Sequence, residues 1–335
     1  MNDIVIRWIQ SFGPSAPWVC VGIFLAASFL MIWRLESLGD AGLEGTVLGT
    51  LVMPYCSGLG NLVFAFVLGR TGGDSREVMI NSLVNNVTNL TLLIGLPALI
   101  WGLSLTPKKS GKSAKKKSGG EDQQRVNRLS LLLTLIAAGF FAGVTWVLGR
   151  DGRLDHSDGL VLVGLFLFWQ IVHVFEVLKK NGPRQNPFGF MFLVNIVLLL
   201  VGAYAVYVST DFLVTWVQGL RTGFISAKNL GWLSGWLMVL PNALLALYYA
   251  ATRRAEIVYS SQVGDGHICL PLCLGVFALY RPILTPDFFQ LGVCLLLGAV
   301  AVHFLFLAIL GRLPRFVGAL LIAAYAVFVW KGLVK

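Results

Sequence analysis

Charge is what this 335-residue chain has least of. Asp, Glu, Lys and Arg together supply 13% of it, and 56% is apolar. Soluble domains carry roughly a quarter charged residues. A chain this poor in charge cannot solvate its own surface, which argues against a soluble domain and for a polytopic membrane protein. Catalytic vocabulary is also missing. There is no HExxH, no Walker A glycine loop, no nucleophile motif and no acidic pair at helical spacing inside an apolar run, so neither an enzyme nor direct ATP drive is expected. The five cysteines (Cys20, Cys56, Cys269, Cys273 and Cys294) lie in apolar runs without ligand spacing. They read as small buried hydrophobes, not as a disulfide framework or zinc site. No short cleavable signal is legible, because the polar N-terminus leads into a segment flanked by Arg34 and Glu36 with no small-residue cleavage site.

What is present is a series of apolar runs, each near the 20 or so residues that cross a bilayer. They give about ten spans: 16–33, 44–68, 78–103, 129–148, 159–178, 188–208, 230–252, 257–279, 288–310 and 314–331. Segment 211–228 is too polar to span; it would extend the sixth helix or lie at the interface. The net charge of +10 would suit nucleic acid, but the basic residues cluster in loops between apolar runs, which is an orientation signal, so no nucleic-acid partner is expected. With the N-terminus outside, the inside loops hold sixteen of the 26 Lys and Arg: Arg34, Lys108, Lys109, Lys112, Lys115, Lys116, Lys117, Arg125, Arg128, Lys179, Lys180, Arg184, Arg253, Arg254, Arg312 and Arg315. This bias places both termini outside and loop 104–128 in the cytoplasm, in a plasma (bacterial inner) membrane. The Lys-, Gly- and Ser-rich loop reads as a disordered linker reinforcing topology, or as a site for anionic lipid or regulation.

The spans are organised around two polar stretches that repeat one pattern. Residues 54–96 run PYCSGLGNLVFAFVLG, a hydrophilic break, then EVMINSLVNNVTNLTLLIGL; residues 235–276 run GWLMVLPNALLALYYAA, a break, then EIVYSSQVGDGHICLPLCLGV. Each has a small-residue or proline kink followed by Asn (Gly60-Asn61, Pro241-Asn242) and then an apolar helix with a polar cluster. The tails LTLLIGL and LPLCLGV are alike. Five spans precede the loop near 180 and five follow, so the halves 1–180 and 181–335 would be two five-helix repeats. Five is odd, so they enter the membrane in opposite directions. This is the inverted-repeat layout of many secondary transporters, which bind near the midplane where the repeats meet.

At these residues the chain resembles the calcium/cation antiporter superfamily, the sodium/calcium and proton/calcium exchangers. SGLGNLV (57–63) and VLPNALL (239–245) stand where that family has its Gly-Thr-Ser-x-Pro-Glu-like turns. VNNVTNLTLLIGL (84–96) and GDGHICLPLCLGV (264–276) stand where it has its Gly-Ser-Asn-x-x-Asn/Asp-like patches. The resemblance implies an all-α membrane fold of about ten helices in two inverted repeats. It also implies secondary antiport of a cation (calcium or another) against sodium or protons by alternating access, without a cofactor. The partners would be the lipid bilayer and a small inorganic ion or solute. By position, Asn61 and Asn242 replace the two Glu that ligate the cation in the family. Calcium favours six to eight oxygens, several from carboxylates, so this replacement opens a second reading: the same fold carrying a monovalent or neutral solute. A transport-inactive membrane scaffold is a third reading, opposed by the number of buried amides.

Asp265 is the only acid well inside the second helix of either pair, and an intramembrane acid is a functional hypothesis by default. The candidate binding residues are Asn61, Asn242, Asn89, Asn85, Asp265, Ser57, Gln262 and Ser261, with Asp265, Asn61 and Asn242 as metal ligands and His267 as a proton carrier. Asn81, Asn85 and Asn89 share one helical face. Counting back from the Leu-Gly tail aligns Asp265 with Asn85, whereas aligning Glu256 with Glu77 shifts the register by one. Because one residue turns about 100° on a helix, the spacing leaves open which of Asp265, Gly266 and His267 faces the site.

Overall fold

In the computed structural model, residues 2–38, 58–105, 118–180 and 189–334 are described. The helices are α1 Asn2–Gln10, α2 Ala16–Leu38, α3 Leu59–Thr71, α4 Arg76–Trp101, α5 Ser118–Leu148 and α6 His156–Lys180, followed by α7 Phe190–Gly219, α8 Leu230–Ala251, α9 Ala255–Tyr280, α10 Phe289–Leu310 and α11 Arg315–Val334. Among the described residues nine helices are long and apolar enough to cross a membrane, and α3 is a shorter apolar helix. Most bounds fall close to the expected spans. Residues 44–57 of the second expected span lie outside the described residues, α5 begins at Ser118 ahead of the expected 129, and the sixth span continues past 208 to Gly219. Polar segment 211–219 stays helical because its acid is paired: Asp211 is buried and takes a 2.5 Å ion pair from Arg70 of α3, whose guanidinium also donates to Tyr207 at 3.0 Å.

Apolar side chains face outward along these helices, as lipid-facing surfaces require. Phe168, Leu200, Ile309 and Leu320 are all exposed. Cys20, Cys269 and Cys273 are buried as expected, but Cys294 is exposed on α10 and so belongs to that outer surface.

The chain forms two compact units, Met1–Ser82 with Gly152–Pro241 and Ile268–Thr285, and Leu83–Asp151 with Asn242–His267 and Pro286–Lys335. In the first unit, α2 lies along α7, with Met31 packed over Gly202. The end of α9 lies on α6, and strands β2 (Arg153–Leu154) and β3 (Ile283–Leu284) pair antiparallel. In the second unit, α5 packs on α10, the end of α4 lies on α11, and β1 (Leu103–Ser104) pairs with β4 (Arg312–Leu313).

The repeat seen in the sequence recurs in these contacts residue by residue. A Cβ on Gly159 would meet Gly275 O and Leu279 N, both at 2.8 Å, and Ala278 Cβ at 3.1 Å. A Cβ on Gly318 would meet Gly95 O at 2.5 Å, Leu99 N at 2.7 Å and Ala98 Cβ at 3.2 Å. Gly95 and Gly275 are the glycines of the two like tails, so the same crossing is built twice, each time between one repeat's third helix and the other repeat's fifth. Only glycine allows this backbone approach. The strands follow suit: Leu103 opposes Leu313 and Ser104 opposes Arg312, while Ile283 opposes Leu154 and Leu284 opposes Arg153. Equivalent strands β1 and β3 are separated by five spanning helices, an odd number, so the repeats run in opposite directions through the membrane.

The third helix of each repeat is not a plain α-helix. A π-helical turn interrupts α4 at Thr88–Leu92 and α9 at Cys269–Cys273. Such turns release backbone groups from the regular ladder and concentrate at functional sites. The two turns occupy nearly equivalent places in the two repeats.

Candidate functional site

Side-chain contacts show which of Asp265, Gly266 and His267 turns toward the amides. With Gly95 matched to Gly275, position 85 matches 265 and position 86 matches 266. Asp265 then turns toward the amides. Its Oδ2 accepts from Asn89 Nδ2 at 3.2 Å and from Asn242 Nδ2 in a short hydrogen bond. The same Asn89 Nδ2 also donates to Asn85 Oδ1 at 3.0 Å. Repeat-equivalent acceptors, one neutral and one acidic, therefore meet on a single amide. Gly266 is held against Asn86, where a Cβ would come 2.9 Å from Oδ1. His267 turns the other way, toward α5, where its Nε2 lies 2.9 Å from Thr134 O and its ring packs edge-on against Phe141.

This cluster lies within the second unit. Asn85, Asn89, Asp265 and Gln262 are buried and Asn242 is half-buried. Gln262 Nε2 donates to Ser261 Oγ at 2.9 Å and to Asn242 O at 3.4 Å. Two acceptors, Asn89 Oδ1 and Gln262 Oε1, are buried without a hydrogen-bond partner among the described residues. Among the described residues the side-chain donors to Asp265 are neutral amides. A buried carboxylate lacking a cationic partner carries a desolvation penalty of several kcal/mol. The chemistry of such a cluster is acceptor-rich: it favours a cation, or a proton, at Asp265.

Asn61 is buried on α3 in the first unit, and Ser57 lies outside the described residues. Asn81, also in the first unit, donates to Ser234 Oγ of α8 at 3.0 Å, and Ser234 Oγ donates to Gly231 O at 3.1 Å. Asn81 is therefore separated in its bonding from Asn85 and Asn89, with which spacing grouped it. Sequence reasoning passed over Glu77, which it used only as a register marker. Glu77 is buried, and its carboxylate accepts the backbone N–H of Gly231 in the first turn of α8, where the helix dipole favours negative charge. Glu256, which stands at the corresponding place in the first turn of α9, is exposed. No sequence pattern distinguishes these two acids, because the difference is made by the close approach of Gly231. His303 is the other buried polar group that only the structure explains: its Nε2–H donates to Leu90 O in the π turn at 2.7 Å.

A protein-family model described as sodium/calcium exchanger protein matches residues 17–175 and 194–331. No curated protein matches the chain. Solved structures of the sodium-calcium exchanger NCX_Mj do. One, soaked with 2.5 mM Na+ and 1 mM Sr2+, is 20% identical, with 92% of this chain and 97% of that one covered and a TM-score of 0.58. Another, soaked with 2.5 mM Na+ and 10 mM Sr2+, is 20% identical, with 93% and 98% covered and a TM-score of 0.59. A third, soaked with 2.5 mM Na+ and 0.1 mM Ca2+, is 20% identical, with 94% and 98% covered and a TM-score of 0.55. The likeness carries the fold: an all-α membrane protein of about ten transmembrane helices in two inverted five-helix repeats.

Proposed function

Given that the chain belongs to the sodium/calcium exchanger protein family, a family of membrane transporters that exchange cations, we propose that it is a secondary antiporter carrying its cation at Asp265. Asn89, Asn242, Asn85 and Gln262 would surround the ion with neutral oxygen. The observation that carries this reading is the buried Asp265 carboxylate, whose side-chain donors among the described residues are neutral amides. A cation bound there neutralises the acid, and its departure leaves the charge to be met by the exchanged ion or a proton. That requirement couples the two ions without any further device.

The charge count favours a monovalent cation such as sodium over calcium. Hard divalent cations are held by several carboxylates. Among the described residues, no three His, Cys, Asp or Glu side chains come together. His267 is a proposed proton carrier only in a secondary sense, because its ring nitrogen is engaged with Thr134 O. We place the protein in the plasma membrane, with both termini outside, on the bias of its basic residues.

The test is flux into proteoliposomes of the purified full chain. Sodium and calcium uptake are measured under imposed sodium and proton gradients. Gradient-driven uptake of sodium exceeding that of calcium supports the reading. Calcium uptake of the same magnitude removes the monovalent preference, and absence of gradient-driven uptake of either ion removes the antiport reading.

A further inference from the structure

Within the second unit lies a cavity of about 970 Å³, lined by none of the residues proposed to hold the cation. It is bounded by the end of α4 and strand β1, the turn between α8 and α9, and strand β4 with the start of α11. Arg253, Arg254, Arg312 and Arg315 all line it, against a single acid, Glu256. A run of basic residues in loops needs no explanation beyond topology. Four arginines from two separate loops around one cavity do. Among the described residues none of them forms an ion pair. Only Arg315 has a side-chain hydrogen bond, a 3.2 Å donation to Ile100 O.

The turn that presents Arg253 gives an independent observation. Helix α8 ends with Arg254 N–H bonded to Tyr249 O at 2.8 Å and Arg253 N–H bonded to Ala250 O at 3.0 Å. This is the Schellman arrangement, and the residue it places in the left-handed region is ordinarily glycine. Here it is Arg253, with φ of 63°, the sole non-glycine residue at positive φ among the described residues. Left-handed backbone disfavours a residue with a Cβ, so stability alone would select glycine. Arg253 nonetheless occupies that position and lines the cavity. The first turns of α9 and α11 open onto the same space, adding backbone N–H groups and the positive ends of two helix dipoles.

We propose that this cavity binds a phosphate-bearing anion, held by Arg253, Arg254, Arg312 and Arg315 and by the starts of α9 and α11. Guanidinium groups match phosphate in bidentate geometry, and helix N-termini are built for the same charge. Two sources can supply that chemistry, the headgroup of an anionic lipid and a free phosphate. Bound there, the anion would tie the turn between α8 and α9 to the β1–β4 strand pair.

The test uses the purified full chain in detergent and three probes: dioctanoyl phosphatidic acid, inorganic phosphate, and dioctanoyl phosphatidylcholine as the zwitterionic control. Binding is measured by titration calorimetry for wild type, Arg253→Gly, Glu256→Gln and an Arg150→Gln/Arg153→Gln control that removes charge elsewhere. Arg253→Gly suits its backbone position, so it is expected to fold at least as stably as wild type, which a thermal melt checks. The proposal expects saturable binding of phosphatidic acid, weakened at least tenfold by Arg253→Gly, tightened by Glu256→Gln and unchanged in the control. Binding of the lipid alone assigns the headgroup as the source; binding of both the lipid and inorganic phosphate assigns free phosphate as sufficient. No saturable binding of either anion overturns the proposal, as does equal weakening by the control variant or binding of phosphatidylcholine as tight as that of phosphatidic acid.

Discussion

Asp265→Asn is the substitution that most sharply separates charge from shape in the proposed site. The amide has the carboxylate's outline, and Asn89 and Asn242 remain to bond it. In the wild type both donate to an anionic acceptor, where a hydrogen bond contributes about 1.5–3 kcal/mol against about 1 for a neutral one. That loss is offset, because the variant no longer buries an uncompensated charge. Folded stability should therefore change little. Cation binding should not survive as well. One unit charge removed at about 4 Å from a monovalent ion, in a medium with an effective dielectric constant near 20, weakens the attraction by about 4 kcal/mol. At about 1.4 kcal/mol per decade this is roughly three orders of magnitude in affinity. The assay is equilibrium binding of radiolabelled sodium to detergent-purified protein, with a thermal melt of each sample as the folding control. A melt near wild type with sodium affinity reduced by two decades or more is the expected result. Sodium affinity within threefold of wild type would refute the assignment of Asp265 as the charge that holds the ion.

Three further substitutions test the framework around the site. Gly231→Ala would bring a Cβ to 2.6 Å from Glu77 O and 2.7 Å from Ile80 Cβ, and it disturbs the bond between Gly231 and the Glu77 carboxylate. A destabilisation of about 1–3 kcal/mol is expected, read as a lowered melting temperature. His303→Leu leaves the buried Leu90 carbonyl without its donor and should cost about 1–3 kcal/mol, with hydrogen exchange rising first around the π turn of α4. Asp155 and Asp158 form a reciprocal cap at the start of α6: Asp155 Oδ1 accepts from Ser157 N and Asp158 N, and Asp158 Oδ2 accepts from Asp155 N. The backbone N–H of Asp158 is the main cause holding the Asp155 carboxyl below the usual carboxylate range. Because the folded value is the lower one, the cap stabilises above the unfolded pKa of about 3.9 and fades as pH falls through the folded value. Melting curves of wild type and Asp155→Ala should therefore differ at pH 7 and converge in strong acid.

How far the sequence reached depends on the kind of interaction. Spans are set by hydropathy along one helix, so 230–252 and 288–310 were legible within a residue or so of α8 and α10. The duplication was legible in the tails LTLLIGL and LPLCLGV, and the structure turns it into matched crossings at Gly95 with Gly318 and Gly275 with Gly159. Register inside the second helix was not legible, because aligning the tails and aligning Glu77 with Glu256 disagree by one residue. Contacts between helices decide which residue faces the amides: Asp265 bonds Asn89 and Asn242, while His267 meets Thr134 O. Spacing put Asn81, Asn85 and Asn89 on one helical face. Periodicity says nothing about partners, however, and Asn81 bonds Ser234 while Asn89 bonds Asp265. The continuation of α7 through its polar segment rests on Asp211 meeting Arg70, a pair far apart along the chain.

The most direct test of the account is to locate the ion itself. Crystals of the full chain soaked in thallium, as a monovalent cation with strong anomalous scattering, would be compared with crystals soaked in strontium. The account predicts a thallium peak within about 3 Å of an Asp265 carboxylate oxygen, lost in Asp265→Asn, a distance longer than the roughly 2.3–2.6 Å of calcium–oxygen contacts because thallium is the larger ion. A thallium or strontium peak ordered elsewhere in a transport-competent protein, with none at Asp265, would contradict it.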